Sequence, residues 1–272
     1  MLILFDIYCF LLLMRFVVPF TGQMYFNPAY QALVKITGPV IKMTKHLSFN
    51  TSSRFVPLIG LLLVFIIKVF LKTVFHSGVP VGLIVVASLY ELIGLIFKIY
   101  FLVLTLRCFR GFRLSFDNIS RILKDMVEPF VLFGRRFSGN EKVISSIALG
   151  TLMGIFVLVV FIISTILMGI GSKVMPGLAL LSFSTVNVFG EVIGALRIYS
   201  YIIFIRILLS WFGPSYGNNF LYAFVFNVTE PYLSIFKRAR LIVGPIDFGP
   251  AAALLVLWFV ISFLQGIINK LI

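Results

Sequence analysis

Apolar residues fill six long runs of this chain, at approximately 2–20, 55–76, 80–106, 143–170, 178–212 and 249–271. A bilayer core about 30 Å thick takes roughly 20 apolar residues per helical crossing, so the pattern predicts six transmembrane helices. The fifth run exceeds one crossing, so its start is expected at the interface or its helix tilted. A short turn, Ser77-Gly78-Val79-Pro80, separates the second run from the third, and Gly169, Gly171 and Pro176 separate the fourth from the fifth. Three mixed segments, about 21–54, 107–142 and 213–248, alternate with these tight connections and hold most of the Lys and Arg.

Composition makes the membrane reading firm. Of 272 residues, 61% are hydrophobic and 12% charged, where soluble domains run near 45–50% and about 25%. With 31 Phe and 9 acidic residues, no wet surface can be built over a dry core. The balance of 23 Lys and Arg against 9 Asp and Glu gives a formal +14. In a soluble chain that would suggest nucleic acid. In a membrane protein it marks loops retained in the cytoplasm, which collect cations and face anionic lipid. The three mixed segments are therefore expected in the cytoplasm and both termini on the far side, in a bacterial inner membrane, with no nucleic-acid partner. The first 20 residues lack a basic n-region and a cleavage site, and read as a retained helix.

The mixed segments recur. Each copy has a Tyr seven residues before an Arg: Tyr8 and Arg15, Tyr100 and Arg107, Tyr199 and Arg206. A proline follows (Pro39, Pro129, Pro231), and six residues after every proline comes a basic pair: Lys45-His46, Arg135-Arg136, Lys237-Arg238. Arg54-Phe55-Val56-Pro57 also aligns with Asp247-Phe248-Gly249-Pro250 at the mouth of a closing helix. Self-similarity at one period of about 90 to 100 residues predicts tandem units: 1–78, a degenerate middle copy at 79–172, and 173–272. An even number of crossings per unit makes the three hairpins parallel repeats, unlike inverted transporter repeats.

Glu230 sits beside Pro231 and ahead of two cations, as an active-site acid could. Its counterparts are Glu128 and Gly38, however, and a catalytic acid is not expected to be replaced by glycine. A cap fits better: Pro opens a helix, and Thr229 or Glu230 satisfies the first N–H groups. The stretch after each proline is then expected to be a short amphipathic interfacial helix whose basic pair reaches lipid phosphate.

The intramembrane charges admit two readings. Arg15, Arg107 and Arg206 near helix ends either snorkel to the headgroups or line a polar vestibule. Deeper lie Lys68, Lys72, Glu91, Lys98, Glu191 and Arg197. Glu91 and Glu191 stand in related contexts, ELIG and EVIG, each with a cation six or seven residues on (Lys98 and Arg197). Pairing between helices is expected over an ion path, with Gly94, Gly190 and Gly194 allowing close approach. Two cysteines (Cys9, Cys108) and two histidines (His46, His76) build neither a disulfide framework nor a metal site. No phosphate-binding loop, dinucleotide fingerprint or nucleophile elbow is present, so neither an enzyme nor a cofactor is expected.

At RILLSWFGP, NVTEPYLSIFKR and IDFGPAAALL the chain resembles the YggT/YlmG family of small bacterial and plastid membrane proteins. Arg206, Ser210, Trp211, Asn219, Thr229, Glu230, Pro231, Lys237, Arg238, Asp247 and Pro250 match its pattern. The first copy matches through Arg15, Asn27, Pro28, Thr37, Pro39 and Lys45, without the acidic residue and the Trp; Gly249 and Phe220 depart from the usual Ser and Pro. The resemblance implies roles in membrane-complex or cofactor assembly, cell division and envelope or osmotic stress, without established catalysis. Together these readings predict an all-α integral membrane protein acting as a non-enzymatic scaffold or envelope-homeostasis factor, with anionic headgroups and membrane proteins as partners. The rival reading is a small ion channel or transporter using the intramembrane charges. The oligomeric state is not legible.

Overall fold

The computed structural model describes residues 3–17, 28–47, 55–76, 78–108, 118–171, 177–211, 220–237, 242–243 and 246–271. They form nine helices and one minimal hairpin: α1 Ile3–Val17, α2 Pro28–Leu47, α3 Val56–Phe75, α4 Val81–Cys108, α5 Asn118–Arg135, α6 Glu141–Gly171, α7 Gly177–Trp211, α8 Phe220–Lys237, β1 Ile242–Val243, β2 Ile246–Asp247 and α9 Gly249–Leu271. The two strands pair antiparallel, Ile242 opposite Asp247 and Val243 opposite Ile246.

Among the described residues five helices are long and apolar enough to cross a membrane: α3, α4, α6, α7 and α9. The first apolar run falls only partly within the described residues. α1 has 15 described residues, about 22 Å at the helical rise of roughly 1.5 Å per residue. The fifth apolar run is one continuous helix of 35 residues, α7.

Local chemistry explains the helix entries. Pro57 and Pro250 each stand second in their helix, where the missing N–H deprives no carbonyl of a partner. Phe55 O takes the N–H of Leu58 at 3.0 Å, and Phe248 O that of Ala252 at 3.0 Å. The α3–α4 turn needs Gly78, whose φ of +113° lies in the region L side chains avoid. Asn140 caps α6, its Oδ1 accepting from Lys142 N at 3.1 Å.

The chain divides into two compact units. The first comprises 1–97, 118–126 and 159–180. Its core gathers Cys9, Leu12, Ile41, Val56, Val64 and Leu92. Here α1 packs on α3 and α2, and Gly60 brings α3 so near that an added Cβ would lie 3.1 Å from Val40 Cγ1. The second unit comprises 98–117, 127–158 and 181–272, around Leu106, Ile193, Tyr199, Ile203, Leu233, Ala253 and Leu257. Gly134 near the end of α5 meets α6 so closely that an added Cβ would lie 2.7 Å from Ile144 O. A backbone oxygen cannot swing aside, so Gly134→Ala is expected to cost about 1–3 kcal/mol. A melting temperature unchanged in the extracted variant would count against that approach.

Candidate functional site

The prolines lie inside helices and do not start them. Pro39 is within α2, Pro129 within α5 and Pro231 within α8, which corrects the expectation of helices capped by Thr229 and Glu230. A mid-helix proline removes one N–H and pushes its ring against the carbonyl four residues back. For Pro39 and Pro231 those carbonyls are Lys35 O and Asn227 O, and side chains bond the carbonyls on either side of them.

In the second unit the donors from outside the helix come from α7. Thr229, two residues before Pro231, bonds back to Val225 O at 2.7 Å, a contact that itself bends helices. Arg206 sits 7% exposed against this turn. Its Nη1 donates to Phe226 O at 3.0 Å and to Thr229 Oγ1 at 2.8 Å, and its Nη2 to Glu230 Oε2 at 2.8 Å. The guanidinium also lies 4.1 Å over the Phe226 ring, which stacks on Tyr222. Two helical turns earlier, Tyr199 donates to Val228 O at 3.1 Å. Tyr232 on α8 donates to Ala253 O of α9 at 2.9 Å. Burial pushes the Tyr232 phenol up to about 12, so it remains a donor at neutral pH.

The first unit uses the same atoms. Thr37, two before Pro39, bonds to Leu33 O at 2.6 Å. Arg15 Nη1 donates to Val34 O at 3.3 Å and Thr37 Oγ1 at 2.6 Å, and Tyr8 donates to Ile36 O at 3.1 Å. The acid is missing: Gly38 occupies the place of Glu230. The middle copy departs further. Val127 stands for the Thr, Arg107 turns to Glu141 at 3.0 Å, and Tyr100 packs edge-on against Phe130. Neither Arg15 nor Arg206 snorkels away from the protein; each is bound into the helix that follows it. The seven-residue spacing accounts for this, since it puts Tyr and Arg on one face of α1 and of α7, two turns apart.

The deep charges are paired between helices, not along them. Lys68 on α3, with no exposed side-chain surface, meets Asp6 of α1 at 2.6 Å and Glu91 of α4 at 2.8 Å. Glu91 also takes Lys72 at 2.7 Å. Asp6 was not among the expected charges; only its counterion, 62 residues away, explains it. In the second unit Lys98 meets Glu191 at 2.6 Å, an ion contact whose angle falls short of a hydrogen bond. Lys98 lies across Gly194, where an added Cβ would come within 2.8 Å of Cε. Gly190 faces open space, contrary to the expected close approach. Arg197 is exposed and joins no ion pair among the described residues.

The anchoring residues are partly placed. Lys45 and Arg136 are exposed, and Arg135 reaches Glu128 at 3.4 Å. Asn27, Asn219 and Arg238, and the side chains of Ser210, Trp211, Lys237 and Asp247, lie outside the described residues. No group of three His, Cys, Asp or Glu forms a metal site among the described residues.

Apolar spans joined by guanidinium-to-backbone bonds and interhelical ion pairs define a predominantly helical, multi-pass membrane protein. The chain belongs to the YggT family. A family model described as CCB3/YggT matches residues 186–268, which include Arg206, Thr229, Glu230 and Pro231. An uncharacterized protein of Haemophilus influenzae is 31% identical over 182 residues, 66% of this chain and 92% of that protein. No solved structure matches.

Proposed function

We propose that the protein is a non-enzymatic scaffold at the cytoplasmic face of the bacterial inner membrane, serving membrane-complex assembly or envelope homeostasis during division and osmotic stress. In this reading the chain is three parallel hairpin units, with α2, α5 and α8 lying at the cytoplasmic interface and both termini on the opposite side. The carrying observation is where the polar side chains go. Arg15 and Arg206 bond into the proline-containing helices that follow them, and Lys68, Glu91, Lys98 and Glu191 pair between helices. What α2 and α5 leave outward mixes cations, Lys35, Lys42 and Arg135, with apolar residues such as Met43 and Leu132. Such a surface suits anionic headgroups and membrane-protein partners.

A photo-crosslinker placed at Arg136 or at the exposed Ile235 should trap one discrete membrane protein, with the adduct from the Arg136 site lost on reversing the charge of Arg135. A smear of unrelated adducts would sink the scaffold reading. The transport alternative draws on one observation, the line of Asp6, Lys68, Glu91 and Lys72. It would take over if proteoliposomes showed ion flux abolished by Glu91→Gln in a fully stable protein.

A further inference from the structure

The two docked arginines have the same inner contacts and different outer ones. Arg206 closes its outer side on the Glu230 carboxylate, 2.8 Å from Nη2. Arg15 spends Nη1 on Val34 O and Thr37 Oγ1, and its Nη2 finds no acceptor among the described residues. The position that would supply one is Gly38, and a Cβ built there meets nothing within 4 Å. The guanidinium is held in place by its inner bonds, its second nitrogen bonds no acceptor among the described residues, and a carboxylate-bearing side chain has room to start from Gly38.

The surrounding charge differs in the same sense. Lys35, Gly38 and Lys42 are spaced three and four residues apart, so they form one stripe on α2. Both lysines are exposed. The matching stripe on α8 is Asn227, Glu230 and Ser234, with no cation. Arg206 with Glu230 sums to zero, whereas Arg15 with Lys35 and Lys42 sums to +3. Arginine's planar fork suits two oxygens of one anion, and lysines reinforce it as point charges.

We propose that Arg15, Lys35 and Lys42 form a binding site for a phosphate group, which takes the place over Gly38 that the Glu230 carboxylate occupies beside Arg206. The phosphate is that of an anionic phospholipid headgroup or a free phosphate ion. The site rests on the interfacial placement of α2 proposed above, since a headgroup reaches it only there.

The test uses the full-length protein, delipidated in detergent and titrated separately with dioleoylphosphatidylglycerol and with inorganic phosphate. Binding is read by native mass spectrometry for the lipid and calorimetry for the ion. Gly38→Ala should bind as the wild type does, because its Cβ points into open space. Gly38→Glu supplies an internal carboxylate, and should lose one tightly held lipid with an affinity drop of at least about tenfold, the loss of a charge-assisted contact. Its melting temperature should not fall. Arg15→Gln should lose the same lipid, and should it fold poorly, Gly38→Glu decides, since it leaves Arg15 in place. Inorganic phosphate displacing the lipid at millimolar concentration would assign the site to the free ion, and failure to displace it would assign the site to the headgroup. Wild-type affinity in Gly38→Glu, or no binding of either probe by the wild type, overturns the proposal. Loss of the crosslinked partner with lipid binding intact would instead remove the scaffold reading alone.

Discussion

Lys68→Ala is expected to cost about 3–5 kcal/mol, the loss that follows removal of one partner from a buried ion pair. The ammonium has no exposed side-chain surface, and Asp6 opposite it has 6%. Without Lys68, Asp6 is a buried carboxylate with no counterion, and burial of a lone charge is far dearer than loss of one contact. Glu91 contributes less, because 46% of its side chain is exposed and it keeps Lys72. Lys72→Ala should therefore cost under about 1 kcal/mol, as exposed pairs do. Lys68→Met combined with Asp6→Leu should recover most of the stability, since a buried pair and a well-packed apolar pair are often equivalent. Unfolding of the extracted protein in mixed micelles measures all of these. A Lys68→Ala protein as stable as Lys72→Ala would show that Lys68 and Asp6 do not form the buried pair.

Arg206→Gln should be the next most damaging, at roughly 2–4 kcal/mol, because it strands several acceptors at once. Phe226 O, Thr229 Oγ1 and Glu230 Oε2 all lose a donor, and the stack on Phe226 is lost as well. Arg206→Lys should rescue little of this. Two terminal nitrogens serve partners on two sides, which one ammonium cannot reach together. Arg15→Gln should cost about half as much, since Val34 O and Thr37 Oγ1 are the only acceptors its guanidinium bonds among the described residues. Full stability of Arg206→Lys would refute the fork geometry at the Thr229–Pro231 turn of α8.

Much of the fold was legible, and the reason is visible in particular residues. Apolar runs located α3, α4, α6, α7 and α9, and Pro57 and Pro250 marked two helix entries. The Tyr–Arg–Pro spacing was readable as a recurrence, and its meaning is now physical: in the first and last copies the same hydroxyl and guanidinium atoms hold the same turn of a proline-containing helix. The position of each proline within that helix was not legible. Proline favours a first turn in isolation, and the donors that bond the turn before Pro39 and Pro231, Arg15 and Arg206, arrive from another helix. The partners of the deep charges were also out of reach. Spacing offered Lys98 seven residues after Glu91 on the same helix, whereas the cations that meet Glu91 come from α3. Which helices stand side by side is a tertiary fact that no local period encodes.

The Lys68–Asp6 pair also bears on how the protein is made. The two residues are 62 positions apart, so α1 leaves the ribosome well before α3 does. A lysine at the centre of a span adds about 2.5–3.5 kcal/mol to its insertion, and before α4 brings Glu91 the partner that can relieve this cost is Asp6 of α1. Membrane entry of α3 and docking of α1 are thereby coupled in a single biosynthetic step. In Lys68→Ala the two stages separate, because α3 becomes easier to insert while the finished protein becomes easier to unfold.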